Sequence, residues 1–530
     1  MGNIVKRTFA LVIVVVASSL SAWAAPPANF AKRVDAVRTA AEVPGMAIAI
    51  VENGKITLAR GFGVRTLGKP EKVDADTIFM TGSTGKAITT AALATLVDAG
   101  KLHWDDKVTD LIPGFQMYDP WVTREMTLRD LLVHRSGLGL GAGDLLVIPR
   151  GTRSRAEVVR QLRFIKPATS FRSGYAYDNV LYIVAGHVID LVSGQPYEDY
   201  VREHVFKPAG MLHATSDEAH RFATANRASP HGRTGGAVRG VGPLKLLDEH
   251  DNLAPASTPA GLLALSANDL ARWLQIQLAH GKLPEGGKLF SEEASAEMWT
   301  PQTIEPTGPP LPGLEAMAAN FEMYALGWEV RDYGGQKIIW HSGGVFGFVT
   351  VVVLIPEKNV GFAITQNSED GQARFGLMYE LLDHYLGLPK QDWPALITKV
   401  RKARIDAAVK AVGEATAAPV PSKPTLPPEK YAGRYVDAWY GAIVIEYKAI
   451  ESAAQGLRVN FTNTPNMGGK LEHYQYDTFI ARFDDPNIEA AYVTFALGAE
   501  GKVERITMKP VSPIADFSFD YQDLLFTPAP

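Results

Sequence analysis

Residues 83–100, STGKAITTAALATLVDAG, are the most informative stretch of this chain. The stretch is rich in Ala and Leu, contains no Pro, and ends at Gly100, a residue type that commonly terminates helices. It therefore predicts a helix that begins at Ser83. Lys86 lies three positions after Ser83, so the lysine amine and the serine hydroxyl share one face of that helix. The scarcity of polar residues further on predicts that the helix is buried inside a domain.

Ser83 and a buried Lys86 have the chemistry of an activated nucleophile. Burial disfavours the charged form of an amine, so we expect the pKa of Lys86 to lie below its usual range. An uncharged amine can then accept the proton of the Ser83 hydroxyl and make the oxygen nucleophilic. The S-x-x-K spacing alone is weak evidence, because a chain of this length contains about two such matches at average residue usage.

Two later motifs add polar groups that a catalytic site needs. Tyr177, Asp178 and Asn179 end a Gly-containing loop that leads into a predicted helix starting near Val180. The sequence HSGG, residues 341–344, follows a predicted strand, and its glycines let a substrate approach the backbone closely. Together the three motifs indicate an acylating serine hydrolase.

The composition excludes several classes of protein. With 530 residues, of which 46% are hydrophobic and 21% charged, the chain can bury a large core and form two or more domains. A net charge of −4 gives no reason to expect a nucleic-acid partner. The absence of cysteine excludes disulfides, a thiol nucleophile and thiolate metal sites. The 12 histidines show no metal-ligand spacing, so we predict no metal and no cofactor.

The N-terminus has the pattern of a secretory signal peptide. Lys6 and Arg7 precede an apolar run over residues 9–20, and Ala22-Trp23-Ala24 forms a small-x-small cleavage site. We predict that residues 1–24 are removed and that the protein is exported, either periplasmic or secreted. The apolar run is too short for a transmembrane helix, so no transmembrane anchor is expected.

Strand patterns occur at both ends of the first 395 residues. Residues 46–51 and 55–60 are separated by Asn53-Gly54, a strong hairpin signal, and further β-branched runs occupy residues 337–340, 348–355 and 360–364. The chain between them is mostly helical. We therefore predict an α/β (α+β) fold, in which an antiparallel sheet is flanked by helices and accompanied by a helical subdomain, over residues 25–395.

The last part of the chain has a different pattern. Residues 396–428 read as a helix followed by a Pro-rich linker. Six short strand-like runs then recur between turn residues, which predicts a small all-β barrel over residues 429–530. Because a linker precedes this barrel and all three motifs lie ahead of it, we expect it to be a separate folding unit.

The three motifs, in this order, resemble those of the serine β-lactamase and penicillin-binding-protein superfamily. Within it the chain is most similar to the group of class C β-lactamases, D-alanyl-D-alanine carboxypeptidases and β-lactamase-like esterases, peptidase family S12. The segments LLVHRSGL (131–138), PAGM (208–211) and residues 344–357 also resemble that group, and the likeness covers residues 43–367. YAGRY (431–435) resembles the opening of the lipocalin-like β-barrel that follows many such hydrolases.

The resemblance implies a catalytic role for three side chains. Ser83 would form an acyl-enzyme and Lys86 would activate it. Tyr177 would pass protons to the leaving group and help activate the deacylating water, its phenol acidified by Lys86. The backbone N–H groups of Ser83 and Gly344 would form the oxyanion hole.

The resemblance also implies a set of substrate-binding residues. Asn179 would hydrogen-bond Lys86 and the amide or ester of a small-molecule or peptide substrate. The third motif would lie on the sheet edge along which an extended substrate binds, and its members are His341, Ser342 and Gly343.

The third motif departs from the β-lactamase pattern, which is usually Lys-Thr-Gly. A permanent cation there holds the substrate carboxylate, whereas His341 would be only partly charged at neutral pH. The chain is therefore expected to be an esterase or a D-amino-acid peptidase or carboxypeptidase more readily than a β-lactamase, and to bind carboxylate-bearing substrates better as the pH falls. Asp178 is expected to alter the charge of the cleft, and His134 to be structural.

Two other functions were weighed. The α/β-hydrolase alternative fails because no Gly-x-Ser-x-Gly occurs, with Thr81 where the first Gly would be needed. A penicillin-binding sensor or binding module with little turnover, in which the barrel is the working part, stays open. Intact Ser83, Lys86 and Tyr177 argue against it.

Overall fold

The computed structural model describes residues 25–250, 253–417, 421–450 and 454–530. The predicted signal peptide, residues 1–24, lies outside the described residues. Within the described ranges, no helix is both long and apolar enough to span a membrane.

An eight-stranded antiparallel sheet is the centre of the first part of the chain, in the order β2-β1-β12-β11-β10-β9-β8-β7. Strands from both ends of this part pair in the middle of the sheet, as the sequence predicts. Two further pairs, β3 with β6 and β4 with β5, form small separate sheets. The strands are β1 (Gly45–Glu52), β2 (Lys55–Gly63), β3 (Phe79–Met80), β4 (His231–Arg233), β5 (Leu244–Leu246), β6 (Ala264–Leu265), β7 (Thr303–Glu305), β8 (Glu322–Tyr324), β9 (Glu329–Tyr333), β10 (Gln336–Val345), β11 (Phe348–Ile355) and β12 (Val360–Gln366).

Helices cover both faces of this sheet. Apolar residues of α1 and α12 pack on one face, and α2 and α10 lie against the other. The helices are α1 (Phe30–Ala40), α2 (Lys86–Asp98), α3 (Val108–Leu111), α4 (Pro120–Glu125), α5 (Arg155–Gln161), α6 (Asn179–Ser193), α7 (Tyr197–Val201), α8 (Glu218–Ala223), α9 (Thr258–Gly261), α10 (Ala267–Leu278), α11 (Glu292–Met298), α12 (Gln372–Leu386) and α13 (Trp393–Thr416).

Strand β1 shows why the sheet is buried on both sides. Successive side chains of a strand point to opposite faces, so its residues alternate between two cores. Met46, Ile48 and Ile50 belong to the cluster with α1 and α12, whereas their neighbours pack with α2 and α10. All eight residues of β1 are buried. The hairpin to β2 turns at Asn53 and Gly54, whose φ angles of 51° and 74° suit the predicted two-residue turn.

The α-helix that follows Ser83 begins at Lys86, later than predicted. Ser83 itself lies in the 3₁₀ turn Gly82–Gly85. The turn starts with Gly82 at a φ of +56°, a left-handed conformation that the helical pattern of the following residues does not indicate. A tighter turn at this point lifts Ser83 out of the α-helix while Lys86 stays buried inside it.

The third motif lies within a strand, whereas the sequence placed it after one. Strand β10 continues through the motif to Val345. On one side it pairs with β11 along this whole stretch, but its pairing with β9 ends at Trp340 opposite Glu329. Among the described strands, none pairs with the other edge of residues 341–345. This free edge faces the turn that carries Ser83.

The predicted barrel is present, and it closes with eight strands. The two strands that the sequence did not separate are the first and the last, which pair with each other at Tyr435 and Pro528 to complete the ring. A strand as short as the last one cannot show the alternation of apolar and polar residues that predicts a strand. The barrel strands are β13 (Gly433–Asp437), β14 (Gly441–Ile450), β15 (Ala454–Phe461), β16 (Gly468–Gln475), β17 (Thr478–Phe483), β18 (Ala491–Leu497), β19 (Val503–Pro510) and β20 (Leu525–Pro528).

The barrel packs directly onto the first part of the chain. The Asp520 carboxylate accepts hydrogen bonds from the backbone N–H groups of Gly143 (2.6 Å) and Leu145 (3.2 Å). The Arg239 guanidinium donates to the carbonyl of Asn487 (3.0 Å). One cluster of buried apolar residues is continuous from the helical region into the barrel. The barrel is thus docked, not only tethered; the domain boundaries at residues 395 and 428 stay predictions.

Candidate active site

Ser83 is held against the backbone of β10 by glycines on both sides. A Cβ atom on Gly343 would lie 2.1 Å from the Thr81 carbonyl oxygen, and one on Gly82 would lie 2.5 Å from the Gly344 nitrogen. Only glycine allows this close approach. The amide of Gly344 therefore lies beside the turn that carries Ser83, which is the arrangement that an oxyanion hole formed by these two N–H groups requires.

Lys86 is fully buried, and its amine has three polar neighbours. Its Nζ lies 3.0 Å from Ser83 Oγ, 2.8 Å from Asn179 Oδ1 and 2.9 Å from the Ala260 carbonyl oxygen. The amide and carbonyl oxygens can only accept hydrogen bonds. In the neutral amine, the two N–H groups are therefore directed at these oxygens, and the lone pair is left facing the Ser83 hydroxyl.

The protonation of Lys86 favours the same arrangement. Burial lowers the pKa of Lys86 to about 7, although the nearby carboxylate of Asp144 opposes this shift. About half of the amine is then uncharged at neutral pH, as a general base requires. The rings of Tyr177 and Tyr182 cover the amine, with their centroids 4.7 Å and 5.2 Å from Nζ.

Tyr177 contacts the nucleophile, but it is not acidified as predicted. Its phenol hydrogen-bonds the Ser83 hydroxyl, and burial raises its pKa well above the usual value. The prediction was wrong because the cost of burying a phenolate exceeds the stabilisation that the hydrogen bond with Ser83 provides. Tyr177 is thus a neutral phenol, able to donate and accept a proton without becoming an anion at rest.

His341 lies in the site, but it is neutral. Burial and the proximity of Lys86 lower its pKa to about 3. Its Nδ1 lies 2.6 Å from the Ser342 carbonyl oxygen, so Nδ1 carries the proton, and Nε2 accepts from the Tyr324 hydroxyl (2.8 Å). The expectation that His341 gains a proton in mildly acidic solution, and so improves carboxylate binding, is therefore wrong.

The structure adds residues that the sequence did not single out. The Asn179 Nδ2 group donates to Asp144 Oδ2 (2.8 Å), and the hydroxyl of Ser518 donates to the same oxygen (2.8 Å). Asp144 and Asn179 are buried. Ser518 comes from the segment between β19 and β20 of the barrel. The two contacts join positions 35 and 374 residues apart, so no local pattern indicates them.

A cavity of about 630 Å³ opens over these groups. Ser83, Tyr177 and Asn179 line its floor, and residues 341–345 of β10 contribute one wall through all members but Gly343. The barrel supplies another wall through residues 516–519, where the half-exposed Phe517 ring stands 5.8 Å from that of Tyr177. The cavity is thus shared between the two parts of the chain.

The cavity also contains a carboxyl group that sequence analysis missed. Glu329, at the start of β9, lines the cavity near the free edge of β10. Burial and the neighbouring Glu305 raise the pKa of Glu329 well above its usual range. Its position after a turn, in a strand of mixed polarity, gives no sequence signal. Glu329 extends the polar surface available to a bound substrate.

Asp178 and His134 lie behind the site and do not line the cavity. Asp178 is buried and accepts from the Ser136 hydroxyl (2.6 Å), and burial raises its pKa well above the usual value. The expectation that Asp178 alters the charge of the cleft is therefore wrong. His134 packs on the Tyr177 ring, 4.1 Å between centroids, and accepts from the backbone N–H of Asp178. In the described ranges, no group of His, Asp and Glu side chains is arranged to hold a metal ion.

Comparison with known sequences finds two family matches. Residues 30–387 match the sequence model of the family described as Beta-lactamase, and residues 417–528 match one described as a domain of unknown function. The chain is 29% identical over 436 residues to an unguisins hydrolase of Aspergillus campestris, covering 79% of this chain and 77% of that protein. It is 28% identical to penicillin-binding protein 4 of Amycolatopsis lactamdurans, covering 68% of this chain and 91% of that protein.

Solved structures show the same architecture. The octameric penicillin-binding protein homologue from Pyrococcus abyssi aligns with a TM-score of 0.55 at 20% identity, covering 94% of this chain and 99% of that one. The D-alanine carboxypeptidase AmpC from Burkholderia cenocepacia aligns with a TM-score of 0.51 at 21% identity, covering 68% and 98%. The first of these alignments extends over both the sheet region and the barrel.

Proposed function

Because the chain belongs to the β-lactamase family, we propose that it is a serine hydrolase that carries the acyl group of an ester or amide substrate on Ser83. The observation that carries the proposal is the geometry of Lys86. Its Nζ lies 3.0 Å from Ser83 Oγ while its other two polar contacts are acceptors only. The lone pair of the neutral amine therefore points at Ser83 Oγ.

Acylation follows from this geometry. Lys86 takes the Ser83 proton as Oγ attacks the substrate carbonyl carbon. The negative charge that forms on the carbonyl oxygen is held by the N–H groups of Ser83 and Gly344. Asn179 holds the lysine through Oδ1 and lines the cavity in which the substrate would bind. His341 keeps its neutral imidazole on Tyr324, so the free edge of β10 offers hydrogen bonds, with no cation, to the substrate.

Tyr177 completes the proton transfers. Its neutral phenol hydrogen-bonds Ser83 Oγ, so it can deliver a proton to the leaving group and recover one from the Lys86 ammonium. In the second half of the reaction the same two groups take a proton from the attacking water, and Ser83 Oγ leaves the acyl group with a proton restored.

The test is mass spectrometry of protein quenched during turnover of a p-nitrophenyl ester. We expect an acyl adduct on the peptide that contains Ser83, and no adduct and no turnover in Ser83→Ala. The matched control is Ser173→Ala, which removes an exposed hydroxyl from the loop before Tyr177. An adduct on another residue, or full activity in Ser83→Ala, would exclude the proposal. A stable adduct without turnover would favour the sensor alternative.

We also propose that the enzyme acts on esters or D-amino-acid peptides in preference to β-lactams. The support is electrostatic, because the buried His341 is uncharged throughout the working pH range and gives a substrate carboxylate no fixed countercharge. The similarity to a protein named as a hydrolase, unguisins hydrolase, also favours turnover over binding alone. We expect a higher kcat/KM for a short-chain p-nitrophenyl ester than for nitrocefin.

The comparison has a simple control. His341→Gln keeps a neutral hydrogen-bonding side chain, so the ratio of the two kcat/KM values should stay the same. His341→Lys would bury a second cation near Lys86 and should lower the activity on both substrates. A wild-type preference for nitrocefin, or no relative gain for nitrocefin over the ester in His341→Lys, would exclude the proposed substrate class.

Export of the protein remains our proposal from the sequence of residues 1–24. N-terminal sequencing of the protein purified from a Gram-negative host that expresses the whole gene is the direct measurement. A mature N-terminus at Ala25 is expected, and a retained Met1 would exclude cleavage at this site. We further propose that the partners are small-molecule or peptide substrates.

A further inference from the structure

We propose that Ser518 of the barrel and Asp144 form a positioning pair that fixes Asn179, and through it the catalytic Lys86. The inference rests on the proposed function, because it assigns Lys86 the role of base. It adds that the barrel is part of the support of the reacting groups as well as a wall of the cavity. The pair is defined by a continuous set of hydrogen bonds from Ser518 to Ser83.

The Asn179 amide is held in one of its two possible orientations. A side-chain amide has one accepting and one donating end, and the two can exchange by a half-turn. Lys86 needs the accepting end, and Oδ1 lies 2.8 Å from its Nζ. The donating end lies 2.8 Å from Asp144 Oδ2, an oxygen that accepts whether or not the carboxyl group is protonated on its other oxygen. Asp144 thus selects the orientation of Asn179 that Lys86 requires.

Asp144 is held in position by the barrel segment that contains Ser518 and Asp520. Its Oδ2 also accepts from the Ser518 hydroxyl (2.8 Å), while its Oδ1 is buried and has no hydrogen-bond partner among the described residues. The residues on both sides of Asp144 donate their backbone N–H groups to Asp520, two residues after Ser518. The barrel segment therefore holds the backbone around Asp144 through Asp520 and its side chain through Ser518.

The side chains of this network are buried. Asp144, Asn179, Lys86 and Asp520 are all at least nine-tenths buried. A buried polar group that loses its partner pays the cost of its desolvation, so buried groups tend to keep the hydrogen bonds that the fold supplies. Removal of one hydroxyl from the network is therefore expected to change the geometry at Lys86 even though Ser518 touches no reacting atom.

The charge on Asp144 adds a second effect. Its carboxylate opposes the lowering of the Lys86 pKa, although burial raises the pKa of Asp144 itself to about 7. Replacement by Asn should therefore lower the Lys86 pKa further by the part of the charge that Asp144 keeps. The remaining groups around the amine do not compensate, because the two histidines and the two tyrosines are held in their neutral forms by burial; they are His134, His341, Tyr177 and Tyr182. The acidic limb of the pH profile should therefore move to lower pH in Asp144→Asn.

The experiment uses full-length variants and two readouts. We expect Ser518→Ala to lower kcat for a p-nitrophenyl ester by about tenfold with KM within about twofold, since small displacements of a catalytic group reduce the chemical step. Ser518→Thr keeps the hydroxyl and should restore most of the rate. Asp144→Asn should cost more, about a hundredfold, with the shifted acidic limb. The matched control is Ser512→Ala, which removes a hydroxyl from the same segment away from Asp144.

The second readout is the rate at which a fluorophosphonate labels Ser83, with kcat expressed per labelled site. It tests the inference even where no substrate is turned over, because it reports how strongly Ser83 is activated. A rate per site in Ser518→Ala equal to that of the wild type, or equal losses in Ser518→Ala and Ser518→Thr, would overturn the inference. Failure of Ser83 to label in the wild type would instead overturn the proposed function.

Discussion

The open sheet and the closed barrel each contain eight antiparallel strands, but they treat strand edges differently. The sheet leaves one edge of β10 unpaired at residues 341–345 among the described strands, and Ser83 lies against it. The barrel pairs every strand with two neighbours, so it has no edge to offer a substrate. The barrel instead contributes a loop to the cavity wall, and Phe517 and Ser518 of this loop line the cavity. We therefore assign the reacting groups to the open sheet and its helices. The barrel contributes only side chains that reach the cavity from a neighbouring domain.

The burial of the strands differs in the same way. β12 is buried along its whole length because helices cover both faces of the sheet, whereas β19 alternates between buried and exposed residues around the barrel wall.

Four experiments test which groups of the two parts take part in the reaction. They are ordered by the size of the expected effect.

The largest effect should follow from removal of the amine on the sheet side. Lys86→Met keeps an unbranched apolar side chain in the buried helix but removes the base, so kcat should fall about a thousandfold, within the range for loss of a general base. Steady-state kinetics on a p-nitrophenyl ester measure this. Lys101→Met, at an exposed lysine just after the same helix, is the control. A loss below about tenfold in Lys86→Met would remove Lys86 from the mechanism.

Tyr177→Phe should be the next most severe change. The ring and its packing on His134 remain, but the hydroxyl that contacts Ser83 is lost, so kcat should fall about a hundredfold while KM changes less. Tyr175→Phe removes a hydroxyl from the same loop and should cost far less. If the two variants behave alike, Tyr177 is a packing residue.

The pH dependence of the wild type tests the state of the two groups together. Because the pKa of Lys86 is lowered to about 7, the neutral base is lost as pH falls, and kcat/KM should drop about fivefold between pH 7 and pH 6. The raised pKa of Tyr177 means that its phenol keeps its proton into alkaline solution. The profile should therefore rise through pH 7 to a plateau. A decline between pH 8 and pH 9 in a folded protein would contradict this assignment of Tyr177.

The smallest effect should come from the barrel wall of the cavity. Phe517→Ala removes a ring that is 40% exposed and lines the cavity without contacting Ser83 or Lys86 in any described hydrogen bond, so KM should rise about threefold with kcat nearly unchanged. Leu525→Ala, a similarly exposed apolar residue of the barrel outside the cavity, is the control. A loss in kcat as large as that of Tyr177→Phe would show that the barrel loop takes part in the chemistry directly.

Sequence patterns predicted five of the eight sheet strands and six of the eight barrel strands; the sheet strands that were missed, β7, β8 and β9, are short and of mixed polarity. Strands covered on both faces are continuous apolar runs, and the runs at residues 348–355 and 360–364 match β11 and β12 closely. The first and last barrel strands were missed because they are short, and only ring closure makes them strands. The start of α2 was misplaced because the left-handed φ of Gly82 depends on the approach of β10, which is distant in sequence.

The site was predictable where chemistry depends on local spacing. Ser83 with Lys86 lie one turn apart, and burial of the helix implied the lowered pKa of the lysine. The protonation states of Tyr177 and His341 were not predictable, because the pKa of each depends on how deeply the assembled pocket buries it. Asp144 has no motif, since its partners come from another helix and from the barrel.

The ring closure of the barrel by its last strand also sets an order in time. A polypeptide is made from its N-terminus, so the turn with Ser83 and the helix with Lys86 exist long before β20 does. Until residues 525–528 have been synthesised and paired with β13, the barrel is open at the end of the loop that contains Ser518. Ser83 and Lys86 are therefore synthesised well before the barrel segment that completes the wall of their cavity.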